Sequence, residues 1–291
     1  MLTEDANIIN NSFEKYFKSE DCPEGILNKS TKYSLTAGGK RLRPILILET
    51  YKLFNDNIEE CLPFAVSMEM IHTFSLIHDD LPGIDNDDYR RGKLTNHKKF
   101  NEATAILAGD SLLNNAYTIM INDIINCKDE ETKKRKLTAM KEISIGVDRM
   151  IAGEYVDTEY EGKDITTEDL DYIHQNKTGA LLKLCVRMGA ILANASEEDA
   201  KSLTIYAEKI GLAFQIKDDI LSEEGDEKVL GKPVGNDKEM KKCTYVSKYG
   251  LQKSKEILEN ITNEAIQELD KYGEKAIFLK ELAKYIQNRN K

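Results

Sequence analysis

The sequence is poor in the residues that turns require. Its 17 glycines and 5 prolines fall below the roughly 12% share of an average protein, which disfavours an all-β chain with its many turns. Apolar residues recur at helical spacing over most of the length, and no convincing alternating strand stands out. No segment rich in Ser, Gly or Pro marks a domain boundary. We therefore predict one all-α domain, residues 1–291, of roughly ten helices.

Cysteine is scarce and long apolar runs are missing. The five cysteines form no CxxC pair, which argues against both a zinc site and a disulfide framework and makes a reducing cytoplasm the expected compartment. No run approaches 18 uncharged apolar residues, and the first residues contain no apolar signal-peptide core. We expect a protein that is neither secreted nor inserted in a membrane.

Positive charge is in deficit as well. The formal net charge is -10 at pH 7, so the surface as a whole repels the phosphate backbone of nucleic acids. Nucleic acid is therefore not an expected partner. An anionic ligand would need a local cluster of lysines, arginines or metal ions.

The segment DDLPGIDNDDYRRG, which follows an apolar helical stretch, combines carboxylates with arginines. Asp79 and Asp80 project from adjacent sides of one helical turn, and the Pro-Gly pair that follows ends the helix so that Asp85 can return toward them. Hard oxygen ligands without nearby His or Cys are typical of Mg²⁺, and Arg90 and Arg91 supply donors for phosphate. The alternative is a solvated acidic loop with local salt bridges.

A second carboxylate pair, Asp218 and Asp219, follows the apolar stretch LAFQIK. Gln215 lies three and four residues earlier and shares their helix face. Because burying an unpaired charge is costly, two such pairs suggest a shared cation site. A lone lysine is usually a solvated surface residue, but three lysines in neighbouring segments are candidates for phosphate binding: Lys177, Lys232 and Lys242.

The third cluster is GGKRLRP, in which two glycines let backbone amides approach an anion while Lys40 and Arg43 add charge. The spacing does not match a Walker motif, and basic loops of this kind are commonly polar turns. His72 lies seven residues before Asp79, nearly two helical turns, and so shares its helix face. A single His on an apolar helix is more often a core residue than a ligand.

Together these motifs resemble the trans-isoprenyl diphosphate synthase family, most closely the bacterial farnesyl diphosphate synthases. The resemblance extends over nearly the whole chain, in the family's order: YSLTAGGKRLRP, EMIHTFSLIHDDLPGIDNDDYRRG, NEATAILAGDSLL, GEYVD, HQNKTGALL, GLAFQIKDDIL and YIQNRNK. It implies an all-α bundle around a deep central cavity, usually a homodimer, with the two aspartate motifs facing each other across the mouth. Here the motif context favours a ligand role for the histidine at position 72.

The resemblance also implies roles for individual residues, which are written here as expectations. Ligands of Mg²⁺ would be Asp79, Asp80, Asp85 and Asp218. Catalytic groups would be Asp79, Asp80, Lys177 and Lys232. Residues that bind isopentenyl diphosphate would be Lys40, Arg43, His72 and Arg91. Residues that bind the allylic diphosphate would be Arg90, Lys177, Thr178, Gln215, Lys232 and Lys242. Residues that limit product length would be Phe74 and Ser75.

The implied reaction is the condensation of isopentenyl diphosphate with dimethylallyl and geranyl diphosphates to farnesyl diphosphate. Mg²⁺ and cationic side chains would stabilise charge on the departing diphosphate, and an apolar cavity would exclude water from the carbocation. The alternatives are a geranylgeranyl diphosphate synthase, a terpene cyclase and a non-catalytic subunit of a heteromeric synthase. A cyclase has no use for the GGKRLRP and RRG sites, and a non-catalytic subunit should have lost its aspartates.

Two departures from the family pattern concern phosphate and metal binding. The second motif usually reads DDxxD, but the last position here is Ser222, for which Glu223 is a partial substitute. The loop before Lys242 contains Lys241 and Cys243, where the family more often has Gly and Ser.

Overall fold

The computed structural model describes residues 2–163, 165–224 and 244–289. Its helices have the following bounds: α1 Leu2–Phe13, α2 Gly25–Leu35, α3 Leu42–Lys52, α4 Leu62–Asp79, α5 Asn96–Lys99, α6 Glu102–Asn126, α7 Glu130–Glu159, α8 Thr167–Ile173, α9 Ala180–Leu192, α10 Glu197–Glu224, α11 Tyr245–Tyr249, α12 Leu251–Gln267 and α13 Ile277–Asn288. Short 3₁₀ turns cover Ile58–Glu60 and Asp270–Ala276, and a π-helical turn covers His174–Gly179.

The all-α prediction is confirmed. The helix count is higher than the predicted ten, because the ranges described contain thirteen α-helices, several of them of only four to seven residues. The sequence pattern also missed a small antiparallel hairpin, in which β1 (Tyr89–Arg90) pairs with β2 (Lys93–Leu94). Strands of two residues are too short to produce a recognisable alternation. The deep central cavity remains a prediction.

Helix α4 lies in the middle of the core. Most of its residues are buried on every face, which is typical of a helix surrounded by others. It packs against α3 and most extensively against α6, while α3 also packs against α9, and α9 against α7 and α10. The polar groups at the C-terminal end of α4 are therefore held by a rigid, apolar support.

Sequence features define the ends of the elements around the candidate site. The side chain of Asn101 accepts a hydrogen bond from the N–H of Thr104 (2.8 Å) at the start of α6, and Asp129 does the same for α7 with Thr132 (2.7 Å). Helix α4 ends at Asp79, just before a Pro-Gly pair. No described helix has the length and apolarity that a membrane span requires.

Candidate active site

Two groups of charged side chains lie along the C-terminal half of α4. The first, called here the basic cluster, consists of Arg41, Arg43, Glu69, His72 and Arg91. The second, called the acidic cluster, consists of Asp79, Asp80, Asp85, Arg90, Glu154, Asp157 and Lys177. His72 and Asp79 are seven residues apart on the helix, about 10 Å along its axis and close to the same face.

The loop after α4 turns back onto the helix end. The backbone N–H of Asp85 donates to the carbonyl of Asp79 (2.8 Å), which returns the exposed Asp85 carboxylate to the vicinity of the helix. Asp80 is buried, with 3% exposure, and its carboxylate pairs with the Arg90 guanidinium at 2.6 Å. The hairpin that carries Arg90 is thereby held against α4. In this arrangement Asp80 already has a cationic partner, whereas Asp79 has no ion pair with a described residue.

Lys177 reaches the acidic cluster from the π-helical turn. Its Nζ donates to Glu154 (3.0 Å) and Asp157 (2.6 Å) on α7. The close packing depends on Gly153, where a Cβ atom would lie 2.5 Å from the backbone nitrogen of Lys177. Burial lowers the pKa of Lys177, but the hydrogen bonds and charges of Asp157 and Glu154 outweigh it and raise the pKa overall. The lysine is therefore a cation in this site.

The acidic cluster has more negative charge than its cations neutralise. Burial raises the pKa of Asp79 to about 7, and the charges of Glu154 and Asp85 act in the same direction against those of Lys177 and Arg90. The pKa of Glu154 is also raised, first by burial. An additional cation would relieve this repulsion. The cluster is thus suited to a divalent metal that retains water or phosphate ligands.

The basic cluster has the opposite imbalance. Arg43 Nη1 lies 3.1 Å from His72 Nε2, and because a guanidinium only donates, this ring nitrogen must accept and the proton must lie on Nδ1. Burial lowers the pKa of His72 well below its usual range, and the charges of Arg43 and Arg91 lower it further. His72 is accordingly neutral near pH 7, and the cluster contains three arginines but one carboxylate, Glu69, which pairs with Arg41.

The glycine loop before α3 fits closely around Arg91. Gly38 and Gly39 have positive φ angles of 97° and 123°, which favour glycine. A Cβ atom on Gly39 would lie 2.6 Å from the Arg91 guanidinium, whose Nη1 donates to the carbonyl of Gly38. Lys40 is exposed and donates to the Tyr285 hydroxyl of α13 (2.7 Å). The structure thus brings Lys40, Arg43, His72 and Arg91 to one region.

The second aspartate pair lies near the end of α10. Gln215 Nε2 contacts Asp219 at 3.4 Å, and the N–H of Tyr245 donates to the same carboxylate (2.8 Å). Asp218 pairs with Arg289, which also donates to the carbonyl of Phe214 (3.0 Å). Asp218 and Asp219 are thus both engaged by other parts of this chain, and their facing of the first motif remains a prediction.

Several predicted residues cannot be placed. Lys232 and Lys242 lie outside the described residues, as do Lys241 and Cys243, and the side chain of Thr178 is likewise outside the description. Phe74 is buried, with its ring edge-on to His78 at 5.5 Å between centroids, and the Ser75 hydroxyl donates to the His72 carbonyl (3.0 Å). Both lie on α4 between the two clusters.

The residues present fit Mg²⁺, although no ligand set is closed. Within the described ranges, no group of three or more His, Cys, Asp or Glu side chains is arranged to hold a metal ion. Mg²⁺ usually takes one or two carboxylates and completes its shell with water and substrate phosphate. The observation that favours this ion is the grouping of carboxylates around Asp79, where the charges of Glu154 and Asp85 add to burial in raising the pKa of Asp79.

Sequence reasoning missed four charged residues that contact the predicted site residues or their neighbours. Glu154 and Asp157 hold Lys177, and their spacing of three places both on one face of α7, so the GEYVD segment did contain a signal. Arg289 contacts Asp218 from 71 residues away. Glu69 is the buried counter-charge of the basic cluster, with 1% exposure, and an acidic residue within an apolar helix could have indicated it.

Comparisons with known proteins agree with this geometry. The model of the polyprenyl synthetase family matches residues 24–279. The chain belongs to the polyprenyl synthetase family. It is 43% identical over 286 residues to a protein of Micrococcus luteus named farnesyl diphosphate synthase, a match that covers 98% of this chain and 96% of that protein. A geranylgeranyl diphosphate synthase of Cyanophora paradoxa is 45% identical over 262 residues, covering 90% and 87%.

A solved structure shows the same fold. The apo crystal structure of an FPP/GFPP synthase from Zymomonas mobilis superimposes with a TM-score of 0.86 at 33% sequence identity, covering 99% of this chain and 97% of that one. The family membership and the all-α architecture inferred from sequence motifs are thereby confirmed.

Proposed function

We propose that this chain is a Mg²⁺-dependent trans-prenyltransferase that condenses isopentenyl diphosphate with dimethylallyl and geranyl diphosphates to give farnesyl diphosphate and diphosphate. The observation that carries the proposal is the pair of oppositely charged clusters on α4. The basic cluster can bind a diphosphate by itself, whereas the acidic cluster can do so only through cations. Prenyl condensation is a reaction that needs two diphosphate substrates, one bound directly by cationic side chains and one bound through metal cations.

The allylic substrate would lie at the acidic cluster. Asp79, Asp80 and Asp85, together with Asp218, would hold Mg²⁺, which would offset the negative charge that develops on the departing diphosphate. Donors for the same diphosphate would be Arg90, Lys177, Thr178, Gln215, Lys232 and Lys242. Lys177 is already a buried cation beside this cluster. Cleavage of the allylic C–O bond, with both electrons leaving on the diphosphate, gives the allylic carbocation.

The second substrate would lie at the basic cluster. Lys40, Arg43, His72 and Arg91 would bind the diphosphate of isopentenyl diphosphate and direct its double bond toward the carbocation. The double bond supplies the electron pair of the new C–C bond and leaves a carbocation on the added unit. Loss of a proton from the adjacent carbon to the released diphosphate then forms the new double bond of the prenyl diphosphate product. A neutral His72 fits this role because it can donate from Nδ1 without adding charge.

Product length is proposed to stop at fifteen carbons because Phe74 is a bulky buried side chain on the α4 segment that runs inward from Asp79. The near-complete match to the Micrococcus luteus relative supports the same product. The alternative is a geranylgeranyl diphosphate synthase, which the Cyanophora paradoxa relative favours. A non-catalytic subunit fits less well, because the chain retains five of the six aspartates of the two motifs: Asp79, Asp80, Asp85, Asp218 and Asp219.

We also propose that the whole of residues 1–291 forms one polyprenyl synthetase domain and acts as a homodimer. Large exposed apolar side chains lie on one face of each of two neighbouring helices, within about 40° of one another by helical rotation and with polar side chains between them. On α6 they are Leu107, Ile121 and Ile125, and on α7 Leu137, Ile151 and Tyr155. We take these exposed apolar groups as the candidate subunit interface. The four described cysteines are free thiols, which supports a cytoplasmic location.

The test is chromatography of the products that purified protein forms from isopentenyl and dimethylallyl diphosphates with Mg²⁺. The proposal expects farnesyl diphosphate as the main product. A twenty-carbon main product would favour the alternative synthase. No prenyl product above that of an Asp79→Ala control would contradict prenyltransferase activity altogether.

A further inference from the structure

Arg41 lies between Lys40 at the end of loop 36–40 and Arg43 in the first turn of α3, and its side chain is buried. The residue is 3% exposed, and its backbone is left-handed, with φ of 53° at the residue before α3. A non-glycine residue in this conformation is uncommon and persists where surrounding contacts enforce it. For Arg41, the surrounding contacts are those made by its guanidinium.

The guanidinium of Arg41 joins three helices. Nη1 pairs with Glu69 of α4 (2.7 Å), Nε donates to the Asn10 side chain of α1 (2.9 Å), and Nη2 donates to the Leu35 carbonyl at the end of α2 (2.7 Å). The group also lies over the Phe13 ring, 5.3 Å from its centroid. Each of the three nitrogens therefore donates to a group of the protein, and the side chain is buried.

These contacts fix the positions of the diphosphate-binding side chains. The bond to Leu35 closes the loop of residues 36–40 onto α2, so Lys40 cannot move independently of the helix. The bond to Glu69 joins the same loop to α4, one turn before His72, which in turn contacts Arg43. Gly38 within the loop accepts from Arg91. Through the loop and α4, Arg41 and Glu69 are thus linked to all four residues proposed to bind isopentenyl diphosphate.

Stability alone does not account for this ion pair. Both side chains are only 2% exposed, and a buried ion pair is often no more stabilising than well-packed apolar residues of similar volume. Moreover, Glu69 Oε2 accepts no hydrogen bond within the described residues, which is costly for a buried carboxylate. This ion pair contributes little to stability but fixes the geometry of the neighbouring cationic side chains. It is therefore suited to keep those side chains in position for binding a ligand.

We propose that Arg41 and Glu69 are positioning residues for the isopentenyl diphosphate site: their buried ion pair holds loop 36–40 and α4 together without touching the substrate. This inference rests on the proposed function. It assigns the two residues to substrate binding at one site and not to general folding.

The test is the double variant Arg41→Met with Glu69→Leu, which removes the ion pair without leaving a buried charge alone. The KM for isopentenyl diphosphate should rise by about tenfold or more, the scale for losing pre-organisation of a charged site. The KM for geranyl diphosphate should change by less than about threefold. The matched control is Lys136→Met with Asp123→Leu, which removes another ion pair (2.7 Å) between α6 and α7; both KM values should stay near those of the wild type.

A second variant, Arg41→Lys, keeps a cation beside Glu69 and so avoids an unpaired buried carboxylate, but it cannot make all the bonds to Leu35 and Asn10. It should raise the KM for isopentenyl diphosphate several-fold and remain folded. An unchanged KM in this folded variant, or equal increases for both substrates in either variant, would overturn the positioning role. A wild-type protein that makes no prenyl product would instead overturn the proposed function and this inference with it.

Discussion

The two clusters on α4 differ in the sign of the charge they leave uncompensated. In the basic cluster three arginines surround one carboxylate, and the pKa of His72 is lowered. In the acidic cluster the carboxylates outnumber Lys177 and Arg90, and the pKa of Asp79 is raised to about 7. Each imbalance costs free energy in the absence of a ligand. The basic cluster is therefore suited to bind an anion directly, whereas the acidic cluster is suited to bind an anion only together with cations.

The largest effect is expected from removing the carboxylates proposed to hold Mg²⁺, one in the acidic cluster and one on α10. Asp79→Ala and Asp218→Ala should each lower kcat by at least about 10²-fold, the scale for losing one charge-stabilising group. Steady-state kinetics with saturating Mg²⁺ measures this, and Asp56→Ala, at a 94% exposed side chain, is the control. Near-normal turnover in either variant, or in EDTA, would contradict the proposed metal-assisted mechanism.

A second prediction concerns Phe74, which lies on α4 between the clusters. Phe74→Ala removes most of a ring, so the cavity should deepen and products longer than fifteen carbons should appear with excess isopentenyl diphosphate. If the ring is ordinary core packing, the variant should lose about 3–5 kcal/mol of stability and keep its product length. Chromatography at matched fraction folded separates the two. An unaltered fifteen-carbon limit would exclude Phe74 as the residue that limits chain length.

The third prediction uses the pH dependence of the acidic cluster. The pKa of Asp79 is about 7 in the folded protein and about 3.9 in an unfolded chain, so its ionisation reduces stability progressively as pH rises from about 4 to 7. Metal-free Asp79→Asn should therefore be more stable than the wild type at pH 8, by about 2–4 kcal/mol, with little difference near pH 4.

Urea unfolding in EDTA at several pH values measures this difference. Asp56→Asn should show no comparable gain, because that carboxylate is exposed. Equal stabilities of wild type and Asp79→Asn at pH 8 would show that the acidic cluster is not under electrostatic strain.

The smallest effect is expected at Ser222, where the second motif lacks its usual carboxylate. Ser222→Asp should change kcat/KM by less than about tenfold, which corresponds to less than about 1.4 kcal/mol of barrier. A larger gain would mean that the natural site is impaired, and the contribution of Asp218 would need to be measured in that background.

Local features of the candidate site followed from the sequence because they depend on helix geometry. The pattern predicted that α4 ends before its Pro-Gly pair and that Gln215 shares a face with Asp219, and both are observed. These two inferences use spacings of a few residues, over which the period of a helix is reliable. The all-α fold followed from the helical periodicity and the scarcity of turn residues, and the motif resemblance supplied the family.

Long-range pairings did not follow, because they depend on how helices pack. Nothing local shows that Lys177 meets Glu154, that Arg289 meets Asp218, or that Arg41 meets Glu69. The π-helical turn around Lys177 also has no sequence signature, and neither has the close approach of its backbone to Gly153. The residues that position the predicted ligands were therefore found only in the structure.

The most direct test of the contrast between the clusters is calorimetric titration of the purified protein with each diphosphate separately, with Mg²⁺ and with EDTA. We predict that isopentenyl diphosphate binds with similar affinity in both conditions, because arginines and Lys40 supply its positive charge. Geranyl diphosphate should bind at least about tenfold more weakly in EDTA. Without Mg²⁺, the carboxylates of the acidic cluster outnumber its cations and repel the diphosphate. If the affinities of both ligands depended equally on Mg²⁺, the proposed contrast between a basic cluster and a metal-dependent acidic cluster would be contradicted.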